Sequence, residues 1–429
     1  MRILIAGGRV IDPANQRDAV LNLLIEDGRI AEVASPGVQP APAADRVLDA
    51  RGKVVCPGFV DLHVHLREPG REDMETIATG TRAAARGGFT SVCCMANTTP
   101  VNDNQSVTDF ILDRARRDGA AHVFPIGAIT KGQRGEELAE IGELVGAGCV
   151  AISDDGHPVM NAELMRRALE YSTLFRIPVI QHAEDTHLTG TGVMHEGRVS
   201  TELGFKGIPA ASESVIVARD LLLAELTGGR YHVAHVSTAE AVHLVREAKR
   251  KGLSVTCEVA PHHFALSDEA VMSFDTNTKM SPPLRSTRHV EAVKAGLADG
   301  TIDAIATDHA PHTIQDKEVE FDYAASGVIG LETAFGLTMS VLVGGGVLTL
   351  EHAIARLTAD PARIFGLAKG TLSVGADADV TIVDPAREWV VDLAQSASKS
   401  RNSPFHGWKL RGQVLATIMG GKIVWELQA

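Results

Sequence analysis

The sequence has few cysteines, few aromatics, no excess of basic charge and no long apolar run, and each of these excludes something. Its longest apolar stretches fall well short of the roughly 20 residues needed to cross a bilayer. The opening Met1-Arg2-Ile3-Leu4-Ile5-Ala6-Gly7-Gly8 is too short for the core of a secretory signal, so a cytoplasmic location away from membranes is expected. Lys and Arg number 41 against 54 Asp and Glu, a net charge of -13, and no basic run stands out, which argues against nucleic acid as the main partner. The five cysteines, Cys56, Cys93, Cys94, Cys149 and Cys257, are odd in number and form no CxxC pair. With mostly apolar neighbours, they read as reduced thiols in a core. No low-complexity tract or fixed-period repeat occurs, and the 41 Gly and 18 Pro are spread along the chain.

What is present is enough apolar sequence, 45% of 429 residues, for a large core and something beyond it. Residues 2–55 read as short strands with turns, including Leu21 to Ile25 before Asp27-Gly28 and Ile30 to Val33 after it. The C-terminal end has the same texture: Asp379 to Val383 reads as a strand, and 412–424 as a hairpin around Met419-Gly420-Gly421. Neither end can hold a strong core alone, so residues 1–55 and 370–429 are expected to form one composite β-sandwich domain. Between them, over 56–369, short apolar strands alternate with helix-length segments, among them helices beginning near Ser106, near 136–146 and near 161–173. That rhythm favours an α/β fold, a TIM-like (β/α)8 barrel, over a doubly wound sheet.

Chemistry enters at the end of the apolar run 54–60, in Asp61-Leu62-His63-Val64-His65. Alternate residues of a strand share a face, so both imidazoles can reach one metal ion, although two such histidines can also be polar core groups. Later strand candidates end in similar residues: Asp154-Asp155 after 150–153, His182 after 178–181, His235 after 231–234, and Asp308 after 305–307. Strand ends converge on the C-terminal rim of a barrel, and five such ends bearing His or Asp describe a metal site. Nitrogen and carboxylate donors suit zinc, one ion or two, without excluding manganese, cobalt or iron. His122 and His232 read as structural, His157 as a turn residue, His262-His263 as rim-orienting groups, and His187 and His195 as surface groups.

Taken together, His63-Val64-His65-Leu66-Arg67-Glu68-Pro69-Gly70, Ser153-Asp154-Asp155-Gly156, His182-Ala183-Glu184, His235-Val236-Ser237 and Asp308-His309-Ala310-Pro311-His312 resemble the dihydroorotases, in the bacterial class I branch of the amidohydrolase superfamily. The resemblance spans essentially the whole chain. It implies His63, His65 and Asp308 at one metal position and His182 and His235 at a second, with Asp155 rather than Asp154 bridging them where many relatives use a carboxylated lysine. It further implies reversible interconversion of (S)-dihydroorotate and N-carbamoyl-L-aspartate in pyrimidine biosynthesis, with Asp308 as the acid/base group. Substrate contacts would come from His65, Arg67, Asn97, Ser281, His312, Ser326 and Gly327, Arg67 offering a guanidinium to the substrate carboxylate, Asn97 and His312 further donors.

Two departures from the family pattern stand out. Relatives often carry Asn where this chain has Ser281, and a common Pro-Phe-Gly element is here Ala325-Ser326-Gly327. Backbone donors can survive the second change, whereas apolar contact to a ring is reduced. Arg67 could instead form a rim salt bridge with Glu68 or Glu72, and Asn97 a strand-end turn. The competing functions are another cyclic amidase (hydantoinase, dihydropyrimidinase or allantoinase) and a noncatalytic paralogue that supports aspartate transcarbamoylase. For assembly, the resemblance implies a homodimer or a noncovalent complex with that transcarbamoylase.

Overall fold

In the computed structural model, which describes residues 1–37 and 44–428, eight strands follow one another around a parallel sheet. They are Phe59–Val64, Phe89–Cys94, His122–Gly127, Ala151–Ser153, Val179–Gln181, Tyr231–Val233, Val255–Val259 and Ala304–Ile305. The ring closes where Val64 bridges His309 in parallel and the His65 N–H donates to His309 O at 2.9 Å. Val60, Leu62, Cys93, Ile126, Ala151, Ile180, Ala234 and Ala304 pack together inside the barrel, and Ala362, Ile364 and Phe365 join that cluster. A larger apolar layer lies between strands and helices. The interior is thus filled by packed side chains rather than left open as a pore.

Helices start where capping residues precede an apolar stripe. Asn104 accepts from the N–H groups of Ser106 and Val107 to open Gln105–Asp118, and Asn161 does the same for Ala162–Ser172. The helix expected near 136–146 is shorter, Ile141–Ala147. Its would-be first turns are extended instead: Lys131 N–H donates to Glu137 O, Ala139 N–H to Ile129 O, and Thr130 bridges Leu138. Gly132 and Gly135, both at positive φ, allow the chain to double back there.

The two ends of the chain share one hydrogen-bonded sheet. Val380–Val390 pairs antiparallel with Val54–Pro57, which in turn pairs parallel with Arg2–Asp12. Asp27-Gly28, both at positive φ, make the two-residue turn between Arg17–Glu26 and Arg29–Ala34. Ile3, Ile25 and Ile30 from the N-terminal strands and Val380, Ile382 and Ile418 from the C-terminal ones belong to a single buried cluster. Gly88, at φ +90°, lets this sheet press against the barrel: a Cβ there would lie 2.8 Å from the Phe59 ring and 2.9 Å from Thr381. One stretch of the C-terminal region, residues 396–405, departs from the sheet and lies against the rim of the barrel, where Ser400 Oγ donates to Met74 O at 2.7 Å. All five cysteines are buried and free.

Candidate metal centre

The first barrel strand places both histidines on one face, and a local irregularity decides which face. Val60 and Leu62 point into the interior cluster, so strict alternation would turn His63 outward. Pairing with the second strand slips between Asp61 and Val64, and both His63 and His65 reach the centre. His235 (φ +33°) and Asp308 (φ +47°) sit in left-handed backbone conformations at the ends of their strands, as does Arg67 (φ +61°) beyond the first. Such conformations are costly for non-glycine residues and concentrate at functional sites.

These strand ends bring five side chains together around Asp155. One Asp155 oxygen, Oδ2, lies 3.3 Å from His63 Nε2 and 3.6 Å from His65 Nε2, while Asp308 Oδ1 lies 3.5 Å and 3.1 Å from the same two nitrogens. The other, Oδ1, lies 3.5 Å from His182 Nδ1 and 3.2 Å from His235 Nε2, which are 3.0 Å from each other. Two donor sets, His63-His65-Asp155 and Asp155-His182-His235, therefore share one carboxylate. Asp154 is directed elsewhere: its carboxylate accepts from the backbone N–H groups of Ile129 and Thr130, at 2.7 and 3.0 Å, and from the Thr130 hydroxyl. Burial opposes the charge on Asp155 and Asp308, but the surrounding imidazoles hold both carboxyls well below the usual range.

Three of the four histidines are aimed by a group behind them. His63 Nδ1 meets Glu258 Oε1 at 2.8 Å, His65 Nδ1 meets Asn97 Oδ1 at 2.9 Å, and His182 Nε2 meets Glu184 Oε2 at 3.0 Å. With those nitrogens protonated toward an oxygen, the opposite ring nitrogens present lone pairs to the centre. His63 Nε2 is buried there without a hydrogen-bond partner. A buried lone pair facing other acceptors is unfavourable alone and fits a cation, so the residues present suit a metal ion. Asp61 fixes the opposite edge, accepting from the Thr307 N–H at 3.0 Å and the Thr307 hydroxyl at 2.6 Å, which sets Asp308 against the first strand.

On the open side stands Arg67. Its Nε donates to Pro311 O at 3.2 Å. Neither acid weighed against it is its partner: Glu68 pairs with Arg114 and the Ile77 N–H, and Glu72 accepts from the Gly70 N–H. Burial brings the Arg67 guanidinium down to about 10, opposed by Asp308 and Asp155, so it stays charged at neutral pH. His312 lies near it. Burial and the cations Arg67 and Lys317 push its imidazole to about 3, and its Nε2–H points to Ser326 O at 2.8 Å. The ring is neutral in this arrangement, and its buried, unpartnered Nδ1 is an acceptor rather than the donor expected. Of the 325–327 donors, the Ala325 N–H goes to Asp316 O and the Gly327 N–H to Lys279 O. Ser281 is partly buried in the rim segment whose Pro282 O contacts His263 Nε2 at 3.0 Å.

Glu258 was absent from the sequence-based expectation. The signal was there: an acid interrupts the apolar strand Val255–Val259, and it is 1% exposed, between His63 and His232. Burial opposes its charge, but His232 and His63 hold the carboxyl down to about 2. His195 corrects the expectation directly. It is buried rather than a surface group, with Nδ1 3.4 Å from Arg285 Nη1 and its ring edge-on to His289 at 5.3 Å, because 194–195 forms a short strand with 207–208. His187 is exposed as expected, and His122 contacts Asp379 at 3.1 Å on the sheet side.

A family model described as "Dihydro-orotase-like" matches residues 52–241, and one described as "Amidohydrolase family" matches 215–425. A dihydroorotase of Anaeromyxobacter dehalogenans is 58% identical over 426 residues, 99% of this chain and 98% of its own. One from Pelotomaculum thermopropionicum is likewise 58% identical, covering 99% of both chains. Among solved structures, the L-hydantoinase (dihydropyrimidinase) of Arthrobacter aurescens aligns over 99% of this chain and 96% of its own, with a TM-score of 0.89 and 25% identity. The dihydropyrimidinase of Brevibacillus agri aligns over 99% and 95%, with 0.85 and 23%, and so shares the fold. Sequence identity along nearly its full length, together with a histidine-carboxylate cluster on the barrel rim, shows that the chain belongs to the dihydroorotase family of the amidohydrolase superfamily.

Proposed function

We propose that the chain catalyses the reversible hydrolysis of (S)-dihydroorotate to N-carbamoyl-L-aspartate, with zinc held by His63, His65 and Asp308 at one position and by His182 and His235 at a second, Asp155 between them. The observation that carries this reading is the pairing of the Asp155-centred cluster with Arg67, a buried-side guanidinium that has no carboxylate partner among the described residues. A bound metal would polarise the ring amide and lower the pKa of water. The protein's own part is to orient and to move protons. Asp308, within hydrogen-bond reach of His65, accepts a proton from the attacking water and returns it to the departing ring nitrogen; in ring closure it takes the proton from that nitrogen. Arg67 binds the substrate carboxylate in bidentate fashion, Asn97 donates through the amide hydrogens that His65 leaves free, and His312, Ser281, Ser326 and Gly327 line the same side.

A neutral cyclic amide would leave the Arg67 charge without an anion, which separates this reading from a hydantoinase or allantoinase activity. All six ligand positions are filled by His or Asp, which argues against a noncatalytic paralogue. The division into a β domain (1–55 with 370–429) and a barrel (56–369), a cytoplasmic location, and a homodimer or noncovalent complex with aspartate transcarbamoylase belong to the same reading. Sizing with and without that partner tests the last.

The decisive experiment follows ring opening and closure after metal removal and zinc restoration, in the parent and in Asp308→Asn. Activity should vanish on chelation and return with zinc. The variant should fold, yet lose on the order of 10²- to 10⁴-fold in turnover. Undiminished turnover in Asp308→Asn would remove Asp308 from the acid/base role, and faster turnover of hydantoin than of dihydroorotate would overturn the substrate.

A further inference from the structure

Asn402 lies on the 396–405 stretch, far in sequence from every residue of the metal cluster, and is 4% exposed. Its Nδ2 donates to Ala310 O at 2.9 Å and to Gly327 O at 3.1 Å, its Oδ1 accepts from the His312 N–H at 3.0 Å, and its backbone carbonyl accepts from the Ile329 N–H at 2.9 Å. Two donors meet two carbonyls and one acceptor meets an N–H, so the amide has a single satisfactory orientation. The groups it joins are the two rim segments that carry His312 and Ser326-Gly327. These segments are already in close contact: a Cβ at Gly327 would lie 2.8 Å from Ala310 Cβ and 2.9 Å from His312 Nε2. The same stretch also grips the turn that follows Arg67. Ser398 Oγ and the Lys399 N–H bind the Glu75 carboxylate, the latter at 3.0 Å, and Ser400 Oγ binds Met74 O.

Resting on the substrate reading above, we infer that Asn402 is a positioning residue for the substrate: it sets the spacing between His312 and Ser326-Gly327 from behind. It makes no hydrogen bond to any of the six metal-site residues, so its influence falls on binding rather than on the metal or the proton transfer. A merely structural tie would lower stability and leave substrate affinity alone, and that difference is measurable.

Asn402→Asp keeps shape and acceptor but sets a carboxylate oxygen against two carbonyls, and Asn402→Ser removes the reach. Expected in both is a KM for dihydroorotate raised roughly tenfold or more, with kcat within about threefold of the parent and zinc content unchanged. Amide hydrogen exchange over residues 309–330 should quicken in the holoenzyme, while residues 55–66 keep their protection. An unchanged KM in a folded variant overturns the inference, as does a fall in kcat that tracks lost zinc. A parent enzyme that does not turn over dihydroorotate overturns the reaction instead. Exchange then decides alone: faster exchange in either variant upholds Asn402 as the residue ordering this rim, and unchanged exchange removes it.

Discussion

At the residue scale, Glu258 is the group most sharply defined by what surrounds it. Its Oε1 is 2.8 Å from His63 Nδ1, and its Oε2 is 3.3 Å from His232 Nε2, whose own Nδ1 meets Thr256 Oγ1 at 2.7 Å. The carboxylate therefore orients His63 and makes it a better donor, as outer partners of metal-bound histidines generally do. Glu258→Gln preserves the shape and removes the charge. It should weaken zinc affinity by about 10- to 100-fold, read by competition with a chelator, with little change in the unfolding temperature of the metal-free protein. Equal zinc affinity in the two proteins would reduce Glu258 to a packing residue. Asp154 and Asp155 show how far adjacent, identical residues can diverge: one caps the 129–130 turn, the other centres the cluster.

At the element scale, the rim segment 312–327 is held by two buried lysines that have backbone carbonyls where ion pairs are usual. Lys317 Nζ donates to Ala325 O at 2.7 Å, and Lys279 Nζ donates to Phe321 O and Asp322 O, both at 2.8 Å. Burial brings Lys317 down to about 7; Asp275 and Asp316 oppose the shift and Lys279 adds to it. Between that value and the ordinary 10.5, the unfolded chain holds a proton that the folded one has released, so this residue makes stability rise with pH across the window. Lys317→Met should flatten that rise, seen as a smaller increase in urea midpoint from pH 7 to pH 10 than in the parent. Parallel curves would show that Lys317 keeps its proton throughout. Elements like this also mark the limit of what the sequence discloses. The ligand-bearing strand ends were legible because a polar residue ending an apolar run is a local signal. Glu258 breaks the same pattern within a strand, and Asn402 and His195 owe their roles to partners such as Gly327 and Arg285, too distant in sequence for any local pattern to register. The helix near 136–146 is shorter than its sequence suggests because two glycines upstream let the chain fold back along Ile129 and Thr130.

At the scale of the whole molecule, the β-sheet and the barrel are tied together by hydrogen bonds at several points. The Gly58 N–H donates to Asp379 O at 2.9 Å, Thr381 Oγ1 to Gly88 O at 2.6 Å, and Thr417 Oγ1 to Ala85 O at 2.7 Å, so the sheet is tied to the start of the first barrel strand and to the helix end and turn that precede the second. Val54–Pro57 belongs to the sheet and leads within two residues into the strand that bears His63 and His65. The 396–405 stretch completes the connection at the rim. Loss of packing in the sheet should therefore be felt by the same cooperative transition as loss of packing in the barrel. Ile418, fully buried in the sheet cluster, and Ile180, 1% exposed inside the barrel, make the comparison. Each truncation to Ala should cost about 2–5 kcal/mol and displace a single calorimetric peak to lower temperature. If Ile418→Ala instead splits the trace, leaving an unshifted transition for a metal-loaded, active barrel, the sheet is a separable appendage and the catalytic strand ends do not depend on it.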